Sequence, residues 1–175
     1  MTAPFVFVTL LLAACACPGE SAVAVEPARA LPFRATSVEG KSVELGALLA
    51  RGPVVLDFWA TWCKPCVVSL PAIERLQRKY RDQGLSVVAI SIDGPRNFSR
   101  VRPFASKLGL SMPVVLDEDG ELQQHYQVTA VPTSVLIAPD GRIVRVHAGY
   151  LPGQEDELES AVRALLPAVG ADSAR

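Results

Sequence analysis

The stretch DFWATWCKPC, residues 57–66, sets two cysteines two residues apart, behind two tryptophans and a lone acid. The run leading into it, PVVLDFWA over 53–60, is rich in β-branched and aromatic residues and reads as a buried strand. From Lys64 to Gly84 apolar residues recur at Val67, Leu70, Ile73, Leu76 and Tyr80, a helical period that stops at a glycine. Cys63 therefore falls where a strand turns into a helix, and Cys66 lies one turn along. A helix N-terminus has unpaired N–H groups and partial positive charge, so it stabilises a thiolate. Lys64 adds a positive neighbour, and Pro65 suits the first turn because it has no N–H to lose. The pattern predicts Cys63 as the exposed, reactive thiol and Cys66 as the more buried thiol that resolves a mixed disulfide.

Other uses of a cysteine pair are weaker. Half a zinc site needs a second Cys or His pair at ligand spacing, and the two histidines, His125 and His147, are single and far apart. A copper-binding or delivery module using both thiols and one histidine is the alternative from another class. A static disulfide fits poorly with a helix N-terminus, where such a bond is easily reduced. Asp57 sharpens the redox reading. A carboxylate inside VVLDFWA is costly to bury, so its pKa should rise toward neutrality and suit it to accept a proton from the resolving thiol.

Outward from this turn the chain alternates in type. FRATSVEGKSVEL (33–45) reads as a hairpin around Glu39-Gly40. LSVVAISID (85–93) is a second buried strand, NFSRVRPFASKLG (97–109) a helix, MPVVLD (112–117) a short strand and EDGELQQHYQV (118–128) a short helix. PTSVLIAP and GRIVRVHAG form a hairpin across Asp140-Gly141, and GQEDELESAVRALLP is a last helix with acids in its first turn. His125 and Tyr126 read as partly exposed surface of the short helix. This alternation predicts an α/β fold with a mixed sheet.

The 175 residues amount to one domain. Seventeen basic and eighteen acidic residues give a net charge of −1, with no basic footprint for nucleic acid or anionic lipid. The apolar run from Phe5 to Ala14 is too short to span a bilayer and has the length of a signal-peptide core. Leu12-Ala13-Ala14-Cys15 has the form of a lipobox, which makes residues 1–14 a signal peptide and Cys15 the lipidated N-terminus. Cleavage after Ala24 is the competing site. Either route exports the domain to a compartment that permits disulfides, the periplasm of a bacterium, with membrane contact only through the lipid. Residues 15–31 read as a tether, 32–167 as the folded domain and 168–175 as a tail.

With these residues placed, the chain resembles the thioredoxin-fold superfamily, and within it the exported TlpA/ResA-like thiol–disulfide oxidoreductases, lipoproteins of the AhpC/TSA–redoxin type. VVLDFWATWCKPC resembles the family's strand and active-site turn, Pro71 the proline that kinks its active-site helix, and AVPTSVLI its cis-proline loop. The resemblance covers about residues 31–166. It implies a thioredoxin-like mixed sheet flanked by helices, with an N-terminal β-hairpin and a strand–helix insertion over 96–127. It implies a Cys63–Cys66 disulfide, catalytic roles for Cys63, Cys66, Asp57, Lys64 and Pro132, and client contacts at Trp62, Val131 and Thr133. The activity implied is reduction of disulfides in client proteins, with electrons from an upstream dithiol protein in the membrane. No cofactor or metal is needed. One departure is Ser69, where many members carry an acid three residues after the second cysteine.

Overall fold

The computed structural model describes residues 28–151 and 153–167. The signal segment, Cys15, most of the tether and the tail lie outside the described residues. Seven strands and five α-helices occur within them: β1 (Arg34–Thr36), β2 (Ser42–Glu44), α1 (Leu45–Leu49), β3 (Val54–Trp59), α2 (Lys64–Tyr80), β4 (Ser86–Ser91), α3 (Phe98–Lys107), β5 (Val114–Leu116), α4 (Glu121–His125), β6 (Thr133–Ile137), β7 (Ile143–Ala148) and α5 (Gln154–Leu165). Five strands form one sheet in the order β5-β4-β3-β6-β7, while β1 and β2 pair as a separate antiparallel hairpin. β3 runs parallel to β4, which runs parallel to β5; β6 is antiparallel to both β3 and β7.

The central strands β3 and β4 are buried along their whole length, which is why both read as continuous apolar runs. Alternation divides β3 between two cores. Val55 and Trp59 face the layer of α2, α3 and α5, packing with Leu70, Ile73, Val101, Ala105, Leu158 and Val162. Val54, Leu56 and Phe58 face the opposite layer, with Val43, Leu45, Leu122 and Tyr126. Asp57 shares the first face, so the strand carries its one acid toward α2.

The chain reaches α2 through a tight turn and leaves it through another. Arg81–Gln83 continue α2 as one 3-10 turn, and Gly84 follows at φ 104°. A Cβ there would sit 2.5 Å from the Arg51 carbonyl oxygen, so this position demands glycine twice over. Pro71 lies inside α2 and Pro103 inside α3.

Three features differ from the sequence reading. α1 was not anticipated: it is only five residues long, has no side-chain cap, and buries Leu45 alone. Tyr126 is buried where partial exposure was expected, its ring centroid 5.7 Å from that of Phe58, and burial pushes its phenol up to about 12. The reason is that α4 covers the second core, so the residue ending it packs inward while His125 stays exposed. The end of the presumed tether is also docked. Ile143 N–H donates to Ala28 O at 2.8 Å and Ala30 N–H to Gly141 O at 2.9 Å, pairing Arg29 with Arg142 at the start of β7. Among the described residues no helix is long and apolar enough to cross a membrane.

Candidate active site

Cys63 caps the N-terminus of α2 and is joined to Cys66 in a disulfide, with the Cα atoms 5.3 Å apart. The Cys66 backbone N–H points at Cys63 Sγ, 3.1 Å away. The same N–H is shared with Cys63 O at 3.1 Å, and it lies in the first turn of α2, where the helix start favours a thiolate. Cys63, expected to be exposed, is only 4% exposed against 0% for Cys66, because the loop at Val131 lies over it. Trp62, immediately before, is 61% exposed, as is much of Val68 on the first turns of α2. Lys64 is exposed beside them.

The loop before β6 closes over the disulfide. The Val131–Pro132 peptide is cis, and Val131 O lies 3.5 Å from Cys63 Sγ. Gly149 N–H donates to Pro132 O at 2.7 Å, tying this loop to the end of β7. Thr133 is turned inward, 2% exposed, with its hydroxyl donating to Ala130 O at 2.7 Å. The structure therefore brings Val131, Pro132 and Trp62 to the cysteine pair and spends the Thr133 side chain on closing the loop. Trp59 belongs to the core, its ring 5.8 Å from that of Phe104.

Asp57 sits on β3 with no exposure. Oδ1 accepts a hydrogen bond from the Ser134 hydroxyl at 2.6 Å, and Oδ2 is enclosed without a partner among the described residues. Burial raises its pKa from 3.8 to about 7, the Ser134 bond opposing only part of that rise. Ser134 was not singled out in the sequence. Its signal was the register of two apolar strands, which a single sequence does not fix. Ser69, at the position of the departure noted above, is buried and donates to Cys66 O.

Two further acids hold the scaffold. Asp93, at the end of β4, accepts from Thr61 N–H, Thr61 Oγ1 and Ser91 Oγ, fixing the turn that enters Cys63. The acid ending LSVVAISID was the visible clue. Glu74 on α2 accepts from Arg78, from Ser111 N–H and Oγ, and from Met112 N–H. Burial opposes its ionisation, but these bonds together outweigh it and hold the carboxyl below its usual range. Among the described residues no group of three or more His, Cys, Asp or Glu side chains is arranged to hold a metal ion. The copper alternative thus finds no third ligand beside the cysteines.

A cysteine pair at a helix N-terminus, a cis-proline loop against its sulfur and a buried acid on the adjoining strand define a thiol–disulfide oxidoreductase of the thioredoxin fold. Known proteins agree. The thiol-disulfide oxidoreductase ResA of Halalkalibacterium halodurans is 36% identical over 126 residues, which are 72% of this chain and 70% of that one. A crystal structure described as thiol:disulfide interchange protein DsbE from Chlorobium tepidum superposes with a TM-score of 0.72 at 31% identity, covering 79% of this chain and 95% of that one. A secreted Mycobacterium tuberculosis disulfide oxidoreductase, homologous to E. coli DsbE, gives 0.63 at 28% identity over 76% and 96%. The Redoxin family profile matches residues 22–165, and the chain belongs to that family.

Proposed function

We propose that the protein is an exported, lipid-anchored disulfide reductase acting on client proteins. The observation that carries this reading is the Cys66 N–H directed at Cys63 Sγ from the first turn of α2. In the reduced state the Cys63 thiolate attacks one sulfur of a client disulfide; a mixed disulfide forms and one client thiolate leaves. Cys66 then gives its proton to the Asp57 carboxylate and attacks Cys63 Sγ, releasing the second client thiolate and leaving the Cys63–Cys66 disulfide. A dithiol donor, itself oxidised in the exchange and anchored in the membrane, restores the reduced pair.

Specific roles follow from position. The exposed ring of Trp62 and the Val131–Pro132 loop receive an extended client segment, whose backbone pairs beside Val131. Lys64 places positive charge next to the nucleophile. Cys15 carries the lipid that anchors the domain, after export removes residues 1–14. The Lys-Pro pair between the cysteines and the resemblance to ResA favour reduction over oxidation.

The test is the reduction potential of the Cys63–Cys66 pair, titrated in glutathione or dithiothreitol buffers. A reductant lies near the thioredoxin value of about −270 mV, and a potential nearer the oxidant value of about −120 mV would reverse the direction of electron flow. Mass spectrometry of the mature N-terminus settles the lipidation at Cys15.

A further inference from the structure

One polar row crosses the sheet beneath the active-site loop. Asp57 on β3 is paired in register with Ser134 on β6, and Ser134 with His147 on β7. Residues directly opposite on adjacent antiparallel strands share a face, with Cβ atoms about 5 Å apart. The row thus runs from a wholly buried acid, through a partly exposed hydroxyl, to a half-buried imidazole near the sheet edge. Its inner link is made, Ser134 Oγ donating to Asp57 Oδ1 at 2.6 Å. At its outer end His147 Nε2 is enclosed without a hydrogen-bond partner among the described residues.

Ser134 and His147 both line a cleft bounded by Ser69, Pro132, Tyr150 and Glu155. The cleft has about 30 Å³ of room for water centres, and one water needs only about 10–15 Å³ with at least two polar partners. Other groups facing it are few. Glu155 from α5 accepts from Tyr150 Oη at 3.2 Å and from Gly153 N–H at 3.0 Å. Its own backbone N–H, first among several bonds, holds its carboxyl below the usual range. Arg75 on α2 acts electrostatically on Tyr150 and Glu155, while the α2 residues that line the cleft, Ser69, Ala72 and Ile73, are uncharged. His147 is therefore the one imidazole in the lining, and a neutral imidazole has an acceptor on one ring nitrogen and a donor on the other.

We propose that Ser134, water in this cleft and His147 form the route by which Asp57 exchanges its proton with solvent. This rests on the reading of Asp57 as the acceptor of the Cys66 proton. A wholly buried acid that takes a proton in each turnover must also lose it. When Asp57 is protonated, its O–H donates to Ser134 Oγ, whose own hydrogen turns toward the cleft water. The water passes a proton to Nε2 of His147, and the imidazolium releases its Nδ1 proton to solvent. One proton leaves Asp57 and one reaches solvent; Ser134 ends unchanged, and His147 ends as its other tautomer, which returns by proton exchange with solvent. His147 acts through Asp57 and touches neither sulfur nor client in this scheme.

The experiment mixes reduced protein with Ellman's reagent in dilute buffer and follows the two thionitrobenzoate releases together with the proton set free, read by a pH indicator. The first release reports attack by Cys63, the second resolution by Cys66, and the indicator the proton that leaves Asp57 afterwards. Asp57→Asn tests the underlying reading: an unchanged second release overturns the role of Asp57 itself, and the relay with it. If Asp57→Asn slows that release, His147→Gln and His147→Ala decide the relay. The expected result is both thionitrobenzoate releases unchanged and the indicator signal lagging the second about tenfold, with added imidazole removing the lag in His147→Ala alone. Ser134→Ala should produce the lag and Ser134→Thr should not. Indicator signals that keep pace with the second release in both His147 variants would overturn the route while leaving Asp57 in place. Thermal melts of the oxidised variants verify that each is folded.

Discussion

Asp93 holds Thr61 twice: the Thr61 backbone N–H reaches Asp93 Oδ2 at 2.8 Å and its hydroxyl reaches Oδ1 at 2.6 Å. The end of β4 thereby clamps the turn that delivers Trp62 and Cys63 to the surface. Asp93→Ala strands three donors, Thr61 N–H, Thr61 Oγ1 and Ser91 Oγ. Bonds to a carboxylate contribute about 1.5–3 kcal/mol each and are not additive, so a loss of about 3 kcal/mol is expected. Urea unfolding of the oxidised protein measures it, and Asp93→Asn should lose less.

Asp57 makes the fold weaker as pH rises. Its folded pKa lies above the unfolded value, so its contribution is fully present below pH 3.8 and is lost as pH climbs from there through about 7. At 1.36 kcal/mol per unit the swing amounts to about 4 kcal/mol. Asp57→Asn removes it. The stability difference between variant and wild type should widen in favour of the variant between pH 4 and pH 8, as read by urea titrations at each pH.

Glu74 works with the opposite sign. Its carboxyl is held below the ordinary 4.5, so the stability it gives is present above that value and disappears as pH falls below it. Its partners, Ser111 and Met112, lie just before β5. Protection of the amides in residues 109–112 against hydrogen exchange, relative to the intrinsic rate at each pH, should therefore fall first on acidification, and Glu74→Gln should show that loss of protection already at pH 7.

Trp62→Ala separates client binding from chemistry. An exposed side chain contributes little to the fold, so stability should stay within about 0.5 kcal/mol of wild type. Aromatic anchors dominate protein contacts, and KM for reduction of a protein disulfide such as insulin should rise about tenfold. Reaction of the disulfide with dithiothreitol should be unchanged.

Cys66→Ser halts exchange midway. Cys63 still attacks, but nothing resolves the mixed disulfide, so the variant should accumulate on client proteins as adducts that reducing gels dissolve. Cys63→Ser should form none and show no turnover.

Much of this architecture was legible because its signals are local. β3, α2 and β4 each carry an unbroken periodic or apolar signature, and WCKPC falls at the one junction where a helix start meets two thiols. Asp57 could be read as buried because an acid inside VVLDFWA has no solvent-facing alternation to use. What escaped depended on register or on long-range contact. Ser134 and His147 join Asp57 only once β6 and β7 are paired, and Tyr126 is buried only because α4 covers the second core. Asp93 and Glu74 spend their carboxylates on backbone N–H groups 32 and 37 or more positions away, which no spacing rule connects. Cys63 looked more open than it is, since the loop that covers it arrives from 68 residues further on.

The docking of Ala28 and Ala30 against Gly141–Ile143 has a directional consequence. β7 runs parallel to β3 through their common neighbour β6, and Val54, Ile137 and Ile143 share one end of the sheet. The leading segment thus joins the body at the foot of β3, while the disulfide sits beyond its head, at least five residue rises of about 3.3 Å away. The leading segment and the working sulfurs therefore occupy opposite poles of the domain.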